Sequence, residues 1–120
     1  MSEMQSKSFD EPDEVVSAPG LEGQIIIIGE THVGRYVHQP GFHWAKDIKP
    51  LVGTQLCQVH HQGVSLSGRL RFFYPNGGEK VIEPGEAFNI PPGHDAYVVG
   101  DEPAISIEFR GVREWAKPAV

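Results

Sequence analysis

The sequence predicts an all-β domain built as a jelly roll or a small barrel. Short runs of β-branched and aromatic residues recur along the chain, and turn residues punctuate them at intervals of about 8–12 residues. The 14 Gly and 10 Pro of this 120-residue chain favour strands joined by turns over long helices. No segment keeps an apolar stripe at helical spacing over three turns. A closed or two-sheet architecture also protects the edges that many short strands expose.

The chain is predicted to divide into a flexible acidic tail, residues 1–16, and a single domain, residues 17–120. The tail carries five acidic side chains and one lysine and shows no hydrophobic period, which is typical of a solvated segment. A docking arm for a partner is the alternative interpretation. The remaining length suffices for one hydrophobic core.

The strands follow one another with clear turn signals between them. Ile25–Ile28 is wholly apolar, which is typical of a strand covered on both faces. Asn76-Gly77 predicts a tight hairpin turn. The predicted strands are Gln24–Gly29, Thr31–Val37, Thr54–Cys57, Val64–Ser67, Arg69–Phe73, Lys80–Ile82, Ala87–Ile90, Ala96–Val99 and Ala104–Arg110.

The last predicted strand alternates between two kinds of face. Ile105, Ile107 and Phe109 lie on one face, and Ser106, Glu108 and Arg110 lie on the other. Parity assigns residues to a face, and either face is compatible with the barrel interior.

Composition excludes several classes of function. The formal net charge of −6 argues against a nucleic-acid partner, which requires a cationic surface. A single cysteine excludes an internal disulfide. No apolar run approaches the ~20 residues of a membrane span, and no leader pattern opens the chain. We therefore predict a cytoplasmic protein that binds neither nucleic acid nor membrane.

Two stretches of the sequence resemble the two motifs of the cupins. The first family motif reads Gly, five residues, His-x-His, three or four residues, Glu, six residues, Gly. The second reads Gly, five residues, Pro-x-Gly, two residues, His, three residues, Asn. Gly68 matches the closing Gly of the first motif, and Gly85 followed by Pro91-Pro92-Gly93 matches the opening of the second.

Further marks over roughly residues 20–118 resemble a subgroup of small bacterial single-domain cupins of the conserved-barrel type. They include an aromatic loop, Gly41-Phe42-His43-Trp44, and the run Leu66-Ser67-Gly68-Arg69-Leu70. The resemblance implies a cupin-type jelly-roll β-barrel, also called a double-stranded β-helix. The subgroup has no assigned reaction, so the resemblance implies a fold more than a function.

The resemblance also implies where a metal would be held. Cupin enzymes typically hold a divalent metal with two His and a Glu from the first motif and a His from the second. With the four-residue spacing, the Glu position falls on His61 and the two His positions fall on Thr54 and Leu56. The last His position falls on Ala96. The standard four-ligand site therefore looks eroded, since a metal site needs three or four converging donors.

A rearranged histidine site is the alternative. His94 has the same strand parity as Ala96, and His61 begins the strand after the first motif's turn, so the two are expected to face each other across the barrel. His60 or His43 would supply a third donor. Imidazole ligands favour Zn, Ni or Fe. The competing interpretations are a His61 bonded to a backbone carbonyl, an exposed His94 in its loop, and a His60 that points to solvent.

Several other side chains have both a structural and a functional interpretation. Cys57 is either a small buried hydrophobe or a reactive thiol whose pKa a cation such as His61 would lower. Trp44 either covers a pocket mouth or packs onto the sheet. His32 and His38 are predicted at the surface.

The chain is also predicted to form a homodimer. The uninterrupted apolar strand Ile25–Ile28 suggests cover from beyond its own sheet, and Trp115 is a candidate anchor in such an interface.

Three functions remain open at this point. The first is a cupin that binds a small organic ligand in the barrel interior through His61, His94, Thr54 and Trp44, without the standard metal site. The second is a metal-dependent isomerase, lyase or oxygenase that uses a rearranged centre around His61 and His94. The third is an interaction module that acts through its acidic tail.

Overall fold

The computed structural model describes residues 3–112, which form nine strands and two single-turn helices. The all-β fold predicted from the sequence is confirmed. The elements are β1 (Glu14–Ala18), β2 (Leu21–Ile28), β3 (Thr31–His38), α1 (Trp44–Asp47), α2 (Lys49–Val52), β4 (His61–Ser67), β5 (Arg69–Phe73), β6 (Glu79–Ile82), β7 (Ala87–Ile90), β8 (Asp95–Val99) and β9 (Ala104–Arg110).

Two antiparallel sheets pack face to face. The larger sheet has the order β1-β2-β3-β9-β4-β7, and the smaller has the order β6-β5-β8. Strand β9 lies between β3 and β4, which are distant from it in sequence, and this crossover is typical of a jelly roll. Within residues 3–112, β6 and β7 are edge strands with a neighbour on one side only.

The core lies between the inner faces of the two sheets. Its buried apolar side chains come from both sheets and from the segment around α1, and burying each large one stabilises the fold by about 1.5–3 kcal/mol. They include Leu21, Ile25, Tyr36, Phe42, Trp44, Ile48, Leu70, Phe72, Ile90 and Val98. Two glycines make room for Tyr36, since a Cβ at Gly23 or Gly34 would lie 2.6 Å from its ring.

Strands β4 and β5 meet at Gly68, as the sequence predicts. Gly68 has a φ of +70°, and a Cβ there would overlap the carbonyl oxygen of Pro103. The turn therefore needs glycine for its conformation and for its close approach to the chain that leads into β9. This contact fixes β4 and β9 relative to each other, and both strands carry residues of the candidate site.

The inner face of β9 is its polar face. Ser106 and Glu108 are buried, whereas Ile105 and Ile107 are half-buried on the outside and Phe109 is 52% exposed. A strand usually turns its apolar side inward, but here the buried carboxylate has a buried histidine as its partner. Hydrophobic alternation alone would have assigned the interior to the wrong face.

The ordered sheet begins inside the segment predicted as tail. Strand β1 starts at Glu14, directly after Asp13, whose carboxylate accepts a hydrogen bond of 2.7 Å from the amide of Ile27. The Lys7 ammonium donates to the Asp13 carboxylate at 3.0 Å and to the Ile27 carbonyl oxygen at 2.6 Å. The Ile27 amide and Lys7 together hold the pKa of the Asp13 carboxyl below its ordinary value.

The predicted strand at Thr54–Cys57 is wrong. These residues lie in the loop between α2 and β4, and Cys57 makes a single β-bridge to His94 instead. Residues 44–52, which lack a helical stripe, nonetheless form the two helical turns, and Gly53 ends the second with a φ of +84°. Trp115 lies outside the described residues. In the described part of the chain, no helix has the length and apolar character that a membrane span needs.

His38 is buried, not at the surface. Its side chain is 0% exposed at the end of β3, and burial lowers the pKa of its imidazole to about 3, so it is neutral at physiological pH. It lines an interior cavity together with Ser65 and Ser106. That cavity measures about 10 Å³, close to the ~10–15 Å³ that one water needs. None of the residues predicted to bind an organic ligand, His61, His94, Thr54 and Trp44, lines this cavity.

Candidate metal centre

Three buried side chains converge at one end of the barrel. The ligating atoms of Cys57, His61 and His94 all lie within 4.8 Å of one another, and each residue is 3% exposed or less. The three therefore lie close enough to hold a metal ion.

The backbone fixes how these side chains meet. Cys57 donates its amide to the His94 carbonyl at 2.8 Å, and its own carbonyl accepts from the amide of Gly93 at 2.7 Å. His61 is the first residue of β4, which pairs with β9 and β7. The loop, the turn before β8 and the start of β4 are thereby held together by main-chain bonds, so the site is pre-organised.

The His61 ring is held from its far side by a carboxylate. Its Nδ1 lies 2.8 Å from Glu108 Oε1, and its Nε2 lies 3.6 Å from the sulfur of Cys57. A carboxylate accepts hydrogen bonds, so we assign the Nδ1 proton to this contact. Metal-binding histidines commonly donate their second ring nitrogen in this way, which fixes the tautomer and the ring orientation.

The His94 ring is held in the same manner by a carbonyl. Its Nδ1 donates to the Pro91 carbonyl oxygen at 2.8 Å. Its Nε2 is buried and has no hydrogen-bond partner among the described residues. A buried polar atom without a partner costs about 1–3 kcal/mol. An electron-pair acceptor such as a metal ion would remove that cost.

The charges of the site favour the ligand form of the thiol. Burial raises the pKa of Cys57, but its contacts with His61 and His94 outweigh burial and bring the pKa to about 6. Burial lowers the pKa of His61, but the charge of Glu108 outweighs it and raises the pKa to about 9. With no metal ion bound, these pKa values leave Cys57 as a thiolate beside a protonated His61 at neutral pH. The thiolate is the form that binds metals.

The thiolate of Cys57 and the imidazoles of His61 and His94 suit a metal ion of borderline hardness in the hard–soft acid–base sense. One thiolate and two imidazoles suit zinc best, and nickel and iron also accept imidazole. Among residues 3–112, no fourth His, Cys, Asp or Glu joins the group. Three protein donors with one position left for water or substrate are typical of catalytic zinc sites, whereas structural sites use four.

The other predicted site residues lie elsewhere. His60 faces away from the group and contacts Asn89 at 2.6 Å, and His43 pairs with Asp95 at 3.0 Å. The Thr54 hydroxyl donates to the Leu56 carbonyl at 2.7 Å. Trp44 is 2% exposed in the core. Of the predicted residues, the structure brings only His61 and His94 together.

Two residues of the site were not predicted as metal-site residues. The first cupin motif also permits three residues before its Glu position, and that spacing places Cys57 on the second His position. The sequence therefore carried a signal for Cys57. Glu108 has no such signal, since it lies 47 positions after His61 in the sequence.

Comparison with known proteins identifies the fold. No protein-family model matches the chain, and no curated protein matches it. A cupin-like protein from Thermotoga maritima superimposes with a TM-score of 0.52 at 14% identity, over 78% of this chain and 70% of that one. A cupin domain from Bordetella pertussis gives 0.51 at 18% identity, over 79% and 96%. The fold is that of the cupins.

A third similar structure is KdgF from Halomonas sp., with a TM-score of 0.52 at 18% identity, over 79% of this chain and 82% of that one. Identities this low establish a shared cupin fold and do not transfer a reaction. The function must therefore be argued from the site of this chain.

Proposed function

We propose that this cupin binds one zinc ion through Cys57, His61 and His94 and uses it for lyase or isomerase chemistry on a small organic molecule. The observation that carries the proposal is the His94 Nε2, which is buried without a hydrogen-bond partner among the described residues. Buried polar atoms are usually hydrogen-bonded, so one without such a partner needs an explanation. This one lies within 4.8 Å of the ligating atoms of Cys57 and His61.

The residues around the three donors have separate tasks. Glu108 and the Pro91 carbonyl orient the two rings, and Phe72 packs against both of them, at ring-centroid distances of 6.2 Å and 5.3 Å. Phe72 thereby excludes water and strengthens electrostatic interactions within the site. A zinc ion held by Cys57, His61 and His94 would supply a Lewis acid.

Zinc titration of the untagged, metal-free protein tests the proposal. We expect one zinc ion per chain, bound with release of the proton from His61 Nε2, because the donor must be unprotonated. Elemental analysis of protein purified without chelators would identify the natural ion. Stoichiometric iron would redirect the proposal toward oxygenase chemistry, and a protein that binds no zinc, nickel or iron would contradict it.

A metal-free thiol nucleophile is the second candidate. Cys57, His61 and Glu108 form a chain with separations of 3.6 Å and 2.8 Å, the order of groups found in cysteine–histidine catalytic sites. This candidate leaves the His94 Nε2 unexplained, so we rank it second. Rapid alkylation of Cys57 by iodoacetamide at neutral pH in a protein that binds no metal would support it.

The predicted homodimer is retained as a proposal. The outer face of the larger sheet carries an apolar stripe made of Val37, Val64, Leu66, Ile105, Ile107 and Phe109, with Leu66 and Phe109 more than half exposed. An exposed apolar patch of this kind favours association, and we propose a second copy of the chain as its partner.

Substituting Leu66→Glu and Phe109→Glu together is expected to give a monomer. Two charges on the stripe would have to lose water in the interface. Light scattering should give about twice the 13.2 kDa chain mass for the unaltered protein and 13.2 kDa for the variant. Val81→Glu, on the smaller sheet, is the matched control and should remain dimeric. A monomeric unaltered protein would contradict the proposal.

A further inference from the structure

A groove opens between β6 and β7, where the edges of the two sheets face each other. It has a volume of about 280 Å³, against the ~300–1,000 Å³ of typical ligand pockets. Its lining is largely apolar and aromatic. The residues that matter here are Phe72, Tyr74, Lys80, Ile82, Phe88 and Ile90.

The groove shares a wall with the candidate metal centre. Phe72 and Tyr74 line it on one side, and both rings pack edge-on against His94 on the other, at centroid distances of 5.3 Å and 6.0 Å. The Tyr74 hydroxyl donates at 2.7 Å to the Pro91 carbonyl, which also accepts from His94 Nδ1. A molecule in the groove is therefore separated from His94 by a single side chain.

The floor of the groove is an aromatic pair. Phe72 and Phe88 stack across the two sheets with an interplanar angle of 29° and a centroid distance of 6.4 Å. The same pair separates the groove from the water-sized cavity beside His38. Phe72 is buried and Phe88 is half-buried, so this end of the groove is apolar and aromatic, which suits an aromatic ring.

The rim carries a cation. Lys80 pairs directly with Phe72 across the strands and so shares its face. Glu79 also lines the groove, and its carboxylate is neutralised by an ion pair with Arg71. Lys80 itself has no ion pair among the described residues, and it is an exposed residue that lines the groove.

From this juxtaposition we propose that the groove binds small aromatic carboxylates, with the ring against the apolar wall that includes Phe88 and the carboxylate at Lys80. Because Phe72 and Tyr74 lie between the groove and His94, this binding does not depend on the proposed zinc function. Binding itself depends only on the groove.

Benzoate is the probe, and benzyl alcohol is its neutral counterpart. In a ¹H–¹⁵N titration of the metal-free protein, millimolar benzoate is expected to shift the amide signals of residues 72–74, 79–82 and 87–90. Benzyl alcohol should bind more weakly. Lys80→Gln should weaken benzoate binding by about threefold to fivefold, the upper part of the effect of an exposed ion pair. Lys49→Gln removes a half-buried lysine on α2 that does not line the groove, and it should leave binding unchanged.

Each result decides the matter. Shifts confined to the groove, with the Lys80→Gln loss, support the proposal. Absent shifts, shifts elsewhere, equal binding of benzyl alcohol, or an unaltered affinity in Lys80→Gln would overturn it. Because the titration contains no metal, benzoate binding in a protein that fails to bind zinc would remove the zinc function and keep the groove. Zinc binding in a protein that does not bind benzoate would overturn the groove proposal and leave the zinc proposal intact.

Discussion

The His94→Ala variant is expected to bind zinc about a hundredfold more weakly, or more weakly still. The substitution removes one of three donors and the only one whose ligating nitrogen has no other partner among the described residues. Changes to residues that merely support a ligand typically cost 10–100-fold in metal affinity, so the loss of a ligand should cost at least the upper end of that range. Competition against a chromophoric chelator measures the affinity.

Two further variants compare the loss of zinc affinity at a supporting residue and at a control position. Glu108→Gln keeps the size of the side chain but removes the charge that holds His61, so a loss of about 10–100-fold is expected. His60→Ala is the matched control, because His60 is the sequence neighbour of His61 and faces Asn89 instead of the donors. It should bind zinc as the unaltered protein does.

The outcome that contradicts the metal centre is specific. If His94→Ala and His60→Ala bind zinc equally well, the ion lies elsewhere. Circular dichroism of His94→Ala tests whether the variant is folded, since unfolding would also abolish zinc binding. A cobalt-loaded unaltered protein provides an independent readout, since coordination by Cys57 should produce a thiolate charge-transfer band.

The largest effect on stability is expected from Gly68→Ala. The new Cβ would overlap the Pro103 carbonyl, and the residue would also be forced to keep a φ of +70°. The combined cost should be about 4 kcal/mol or more. Small domains have a free energy of unfolding of about 5–15 kcal/mol. Urea unfolding monitored by circular dichroism measures the change.

Variants of two other glycines distinguish the cost of a left-handed φ from the cost of steric overlap. Gly77 has a φ of +97° but open space around it, so Gly77→Ala should cost only about 1–2 kcal/mol from the backbone conformation. In Gly63→Ala the φ is not left-handed, but the Cβ would overlap the Ile107 carbonyl, so the cost is purely steric. A Gly68→Ala variant no less stable than Gly77→Ala would show that the close approach to Pro103 does not hold the strands together.

The sequence predicted the strands with local signals best. Arg69–Phe73, Ala87–Ile90 and Ala104–Arg110 were predicted with the bounds that the structure gives. Gly and Pro stand next to these segments, and the conformation of such residues depends little on distant contacts. The predicted strand at Thr54–Cys57 failed because its composition resembles a strand while its hydrogen bonds go to the turn at Gly93 and His94.

The site depended on long-range pairing and was only partly predictable. Parity related His94 to the expected position at Ala96, and the structure places His94 against His61 with ring centroids 5.2 Å apart. Cys57 was recoverable from the shorter motif spacing. Glu108 was not, because the inner face of β9 is the polar one, and only the sheet order reveals which residue lies beside His61.

The inward carboxylate of β9 has a consequence for anyone who redesigns this protein. Removing two ionisable groups from water is costly in so small a barrel, and well-packed apolar side chains of similar volume are often as stable or more so. An algorithm that ranks sequences by folding energy would therefore discard Glu108 and His61 first. The result would be a sturdier scaffold without its chemistry, so thermostabilised versions should keep both positions fixed.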